Sequence, residues 1–163
     1  MSFASDFQNL LASEFRRRFK AYLLVESPKE VYIGDQRIAF DIYLERPNKI
    51  VIIEVELRRE APLHNVAKTL LWASKNTGIK YINLIQAFDR VSYYSNVPSL
   101  NLQLASFLGE LGKLFLKDKR NFTYQQLLLD IPQEFYSRST QPLSKIKSLA
   151  INTCDQIGLL GVL

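Results

Sequence analysis

The chain has 163 residues and a mass of 18.8 kDa, enough for one domain with a sizeable core and too short for two of ordinary size. Hydrophobic residues make up 47% and aromatics 12%, with only 6 Gly and 6 Pro, which excludes disordered, collagen-like and turn-rich repeat architectures. The 21 Lys and Arg exceed the 16 Asp and Glu by 5, a charge compatible with a polyanionic partner without requiring one, while a single Cys154 and a single His exclude an internal disulfide and a structural zinc cage.

In chain order, residues 5–24 place Phe7, Leu10, Leu11, Phe15, Phe19 and Leu23 at three- and four-residue intervals, with Ser5 or Asp6 as the cap, which predicts an amphipathic helix. Pro28 bars anything helical beyond it. Three extended runs follow, 31–33, 37–45 and 50–57, separated by the turn signals Gly34-Asp35 and Arg46-Pro47-Asn48-Lys49, and together they predict a β-meander. Pro62 opens a helix over 63–76 that carries Leu63, Val66, Ala67, Leu70, Leu71 and Ala73 on one arc and ends before Gly78. Residues 79–88 read as a strand, 89–99 as a polar loop, and 100–117 as a helix weakened by about 1 kcal/mol at each of Gly109 and Gly112. Helix is also the expectation for 122–131 and 143–157. The whole is expected to be α/β, a mixed central sheet flanked by helices in one domain over 1–163, with a core at 7–88 and a helical C-terminal elaboration from about 100.

Chemistry concentrates on the run Ile50-Val51-Ile52-Ile53-Glu54-Val55-Glu56-Leu57, whose first four residues are apolar on both faces, as in a central strand covered on both sides. Alternation puts Glu54 and Glu56 on the face of Ile50 and Ile52. A turn over residues 46–49 pairs Glu45 with Ile50, and the same register sets Asp41 opposite Glu54. Two opposed carboxylates in an apolar strand pair repel unless one takes up a proton or a cation lies between them, and an all-oxygen donor set suits magnesium. Glu14 falls inside the apolar arc of the first helix, where it either serves such a site or pairs with Arg18 four residues on.

Glu14 on a leading helix, Asp41 on the second strand, Glu54-Val55-Glu56 on the third, and a helix and strand after them resemble the PD-(D/E)xK nuclease superfamily. The resemblance covers about half the chain and implies a restriction-endonuclease-like α-β-β-β-α-β core. It implies a magnesium-dependent endonuclease acting on DNA, with manganese as a substitute. Asp41, Glu54 and the Val55 carbonyl would ligate the metal, with Glu14 completing or orienting the site through water. The sequence departs from the pattern where the superfamily has Lys, because that position is Glu56, and Phe40 stands where it has Pro. Glu56 would then bind a second metal or act as the base. Lys68, on the following helix, is a candidate for a migrated catalytic lysine; Lys75 shares its helical edge, and both read equally as phosphate contacts or solvated lysines. Arg58 and Arg59 are candidate substrate-binding residues, with Glu56 and Glu60 as competing partners for Arg58.

Three readings compete. The first is a DNA nuclease; the second is an inactive nuclease-like fold kept for binding nucleic acid or protein; the third is a structural subunit with an exposed apolar patch near residues 159–163. Tyr93 and Tyr94 offer base stacking or packing, Cys154 reads as a packed thiol, and no Gly-rich phosphate loop is present. No apolar run approaches the roughly 20 residues of a membrane span. No secretory leader is expected at the start, so the expectation is cytoplasmic, with no membrane partner and with a homodimer among the open arrangements.

Overall fold

A computed structural model of the chain describes residues 3–57, 62–76, 78–94, 96–136 and 141–161. The helical period of the first segment forms α1, Phe3–Arg18, which buries Phe7, Leu11, Ala12, Glu14 and Phe15. The helix stops six residues earlier than its periodicity predicts. Leu24–Glu26 instead forms β1, antiparallel to the segment that follows. A hairpin of β2, Lys29–Ile33, and β3, Gln36–Phe40, turns through Gly34 at a φ of 60°.

Asp41 divides the predicted 37–45 strand. β3 ends before it and β4, Ile42–Arg46, begins after it, so the expected meander is shared between two sheets. Among the described residues β2 and β3 pair only with each other, whereas β4 joins β5, Lys49–Glu56, in a five-stranded sheet. The helix α2, Pro62–Lys75, leads to β6, Tyr81–Asp89, and one helical turn, α3, Arg90–Tyr93, occupies the predicted loop. Ser99 caps α4, Leu100–Leu116, and accepts from the Leu102 amide. The chain then forms β7, Asn121–Leu129, a short 3-10 turn at Gln133–Tyr136, and α5, Leu143–Leu159.

The sheet order β1-β4-β5-β6-β7 puts β5 at the centre, antiparallel to β4 and parallel to β6. Its eight residues are buried but for Lys49, as the apolar run predicts. α1 and α5 pack against one face of the sheet through Phe7, Leu11, Phe15, Ile146, Ala150 and Cys154. α2 and α4 cover the other through Val66, Trp72, Leu102 and Ala105. The protein is therefore α/β, with a mixed sheet between two helical layers. Among the described residues no helix is long and apolar enough to cross a membrane.

The C-terminal part is not purely helical. Helix is the expectation for 122–131, but Asn121–Leu129 instead extends the sheet as β7, parallel to β6 in the register Tyr81↔Asn121. α4 packs closely through its two interior glycines: a Cβ on Gly109 would lie 2.2 Å from the Tyr124 ring of β7, and one on Gly112 would lie 2.4 Å from Leu70 of α2. Close approach therefore explains the glycines that weaken the helix. Gly109→Ala, which would add about 1 kcal/mol of helix propensity on an open helix, is expected instead to destabilise the protein by about 1–3 kcal/mol through overpacking. Thermal or urea unfolding measures the sign, and a stabilised variant would contradict this packing.

Candidate active site

The β4–β5 ladder has the predicted register, Glu45↔Ile50, and runs to Ile42↔Ile53. It stops one residue short of Asp41 and Glu54. Asp41 Oδ2 instead accepts the Val55 amide at 2.8 Å, so the aspartate caps the end of the ladder and stands beside the C-terminal half of β5. Glu54 and Glu56 share the α2-facing side with Ile50 and Ile52, as alternation requires. Both are 0% exposed.

Lys68 of α2 reaches into this cluster. Its Nζ lies 2.9 Å from Glu54 Oε1, donates to the Ala39 carbonyl at 2.6 Å, and stands 5.5 Å from the centre of the Phe40 ring. Lys75 lies two turns further along α2 and lines the same groove, of about 400 Å³, between α2 and the β2–β3 hairpin. Ile33, Gln36, Ile38 and His64 complete much of its wall. One cation thus belongs to both the buried acids and an open groove.

Burial pushes the Glu54 carboxyl well above the usual range, and the neighbouring charge of Asp41 pushes it further; Lys68 opposes both, and Glu56 adds a smaller upward push. Among the described residues Glu54 Oε2 is buried without a hydrogen-bond partner. Among the described residues no three of His, Cys, Asp and Glu form a ready-made metal cage. Magnesium, however, is commonly held by one or two carboxylates with water and phosphate filling its other positions. Asp41 and Glu54 fit that mode: they are neighbouring hard donors, and one is a buried oxygen lacking a partner.

Glu56 is held differently. Its Oε1 accepts from Asn65 Nδ2 at 2.6 Å and from Gln86 Nε2 at 2.8 Å, and Gln86 Nε2 also reaches the Pro62 carbonyl at 2.9 Å. Tyr124 donates its hydroxyl to Gln86 Oε1 at 2.7 Å, and Gln126 donates to the Tyr124 oxygen at 2.7 Å. Burial raises the Tyr124 hydroxyl far above its ordinary range, which keeps it a donor. The polar line therefore has a direction, from Gln126 through Tyr124 and Gln86 to Glu56. It crosses the three parallel strands from the middle of β7 to Glu56 at the carboxyl end of β5, the end at which sites in open α/β sheets usually lie.

Other expectations separate from this cluster. Glu14 lies in the opposite helical layer, where Arg17 and then Arg18 hydrogen-bond its carboxylate and hold its proton affinity below the usual range. It is removed from the acids of β5, and its pairs with Arg17 and Arg18 on the same helix account for its burial. Val55 turns its side chain into the α1–α5 core and its amide to Asp41. Tyr93 is buried edge-on to Phe88 at 5.0 Å, so it packs rather than offering a free stacking face. Cys154 is buried, its thiol pushed up to about 11 by desolvation, as a packed thiol should be. Arg58 and Arg59 lie outside the described residues.

Sequence reasoning did not find Asn65, Gln86, Tyr124 and Gln126. A usable signal was Gln86, a neutral polar residue at an inward position of an otherwise apolar strand. No known protein family, curated protein or solved structure matches the chain.

Proposed function

We propose that the protein is a magnesium-dependent nuclease of the PD-(D/E)xK type, with a restriction-endonuclease-like core, that hydrolyses phosphodiester bonds in DNA. The observation that carries the reading is Lys68, whose ammonium comes from a neighbouring helix to within 2.9 Å of the buried Glu54 carboxylate. This is the charge that the strand itself lacks at Glu56. A solvated surface lysine has no reason to be drawn to an acid from which water is excluded.

Asp41 and Glu54 hold the metal, which when bound supplies Lewis-acid stabilisation of the charge developing at the scissile phosphate. The Val55 amide fixes Asp41, and the β5 backbone fixes Glu54. Two Lys68 donors face Glu54 and the Ala39 carbonyl, and the third is available to a phosphate oxygen or the attacking water. Glu56 acts as a positioning group, clamped through Asn65 and Gln86. The groove takes the DNA strand, with Lys68 and Lys75 as phosphate contacts above the apolar surface of Ile33 and Ile38.

Titration calorimetry of magnesium or manganese into metal-stripped protein is expected to show binding that is at least about tenfold weaker in Asp41→Asn. The asparagine retains an oxygen for the Val55 amide, so loss of binding would report charge rather than local unfolding. Plasmid and single-stranded DNA should be cut with magnesium or manganese and bound without cutting in calcium. Absence of metal binding in both proteins would remove the proposal. DNA binding without cleavage in any of the ions would favour the non-catalytic binding module.

A further inference from the structure

α4 is apolar on two opposite sides. The side toward the protein is formed by Leu102, Ala105, Gly109, Gly112 and Leu116, while Leu100, Leu104, Phe107, Leu111, Leu114 and Phe115 on the other side are 38–68% exposed. A helix apolar around its whole circumference is normally buried. At about 200 Å² per large side chain, the outer six present on the order of 700 Å² of apolar surface. The largest patch on an ordinary monomer is about 300–600 Å². Each partner in a standard interface contributes about 800 Å².

The pattern also specifies what covers it. Leu100, Leu104, Phe107, Leu111 and Leu114 are spaced alternately by four and three residues, the 3.5-residue seam by which helices pack along one another. The charged residues of the helix, Glu110 and Lys113, pair with each other at 2.6 Å and leave that seam uncharged. A second copy of α4 supplies a helix with the matching period.

We propose that the protein forms a two-fold homodimer through an antiparallel pairing of α4 with α4 of a second copy. Phe107 of one protomer meets Leu111 of the other, Leu104 meets Leu114, and the two-fold repeats each contact. The proposal is independent of the nuclease reading.

Sedimentation velocity at about 10 μM, a concentration suited to micromolar or tighter association, is expected to give twice the 18.8 kDa chain mass. Phe107→Glu and Leu111→Glu should each weaken the dimer by about 30-fold or more, the scale of an interface hot spot. Both side chains are already solvent-exposed in a single chain, so the variants should stay folded as monomers, with the wild-type circular dichroism spectrum as the check. Tyr32→Glu, exposed on β2 away from α4, should remain dimeric. A wild-type protein of single-chain mass at about 100 μM would overturn the proposal. So would a dimer that survives both seam substitutions.

Discussion

Lys68→Met is expected to lower the rate of DNA cleavage by about 10²–10³-fold, the usual consequence of removing one preorganised electrostatic group from a site of developing charge. The methionine keeps much of the apolar stem that packs near Phe40 while deleting the ammonium that bridges Glu54 and Ala39. Lys75→Met is the matched comparison, because Lys75 lines the same groove but is exposed and has no place among the buried acids. It should weaken DNA binding and reduce its salt dependence with little change in kcat. Steady-state and single-turnover assays separate the two effects. If Lys68→Met turned over like the wild type while Glu56→Gln lost activity, the chemistry would belong to the residue in the motif position instead.

The part of this arrangement that depends on one element was legible in the chain. Alternation on β5 placed Glu54 and Glu56 on one face, and the four-residue turn set the β4–β5 register that brings Asp41 to their side. The helical period put Lys68 and Lys75 on one edge of α2, and both line the groove. Arg18 near Glu14 was similarly visible, although Arg17 proves the closer partner.

What depends on several elements was not legible. β7 escaped because its inward side reads Phe122, Tyr124, Gln126 and Leu128, and the polar Gln126 interrupts the alternation that marks a strand. That glutamine is inward because it donates to the Leu102 carbonyl of α4 and to Tyr124, partners that exist only after the layers assemble. β1 has three residues, too few to establish a period, and its apolar Leu24 and Val25 continue the spacing of the preceding helix. Asp41 gave no warning that it would end one hairpin and open the main sheet, because its Val55 partner depends on tertiary register. The polar line to Glu56 is invisible for the same reason: Asn65, Gln86, Tyr124 and Gln126 come from three elements and form one network only across parallel strands.

Glu54→Gln is expected to make the metal-free protein more stable near neutral pH while abolishing cleavage. In the folded chain burial and Asp41 raise the Glu54 carboxyl well above 4.5, so the folded state holds this proton more tightly than the unfolded state. The associated stability is fully present below about pH 4.5. It declines as pH rises, by at most about 1.4 kcal/mol per pH unit for one proton, until the folded carboxyl has itself ionised. Glutamine has no such proton to lose. In a chelating buffer its melting temperature should therefore exceed that of the wild type by a few degrees near pH 7.5 and converge with it near pH 4. That result would support the proposed cation site, since a buried carboxylate that lowers the stability of its own fold calls for a functional reason. If Glu54→Gln instead melted lower at neutral pH, its ion pair with Lys68 would be a structural brace, and the buried acid would no longer favour a metal site.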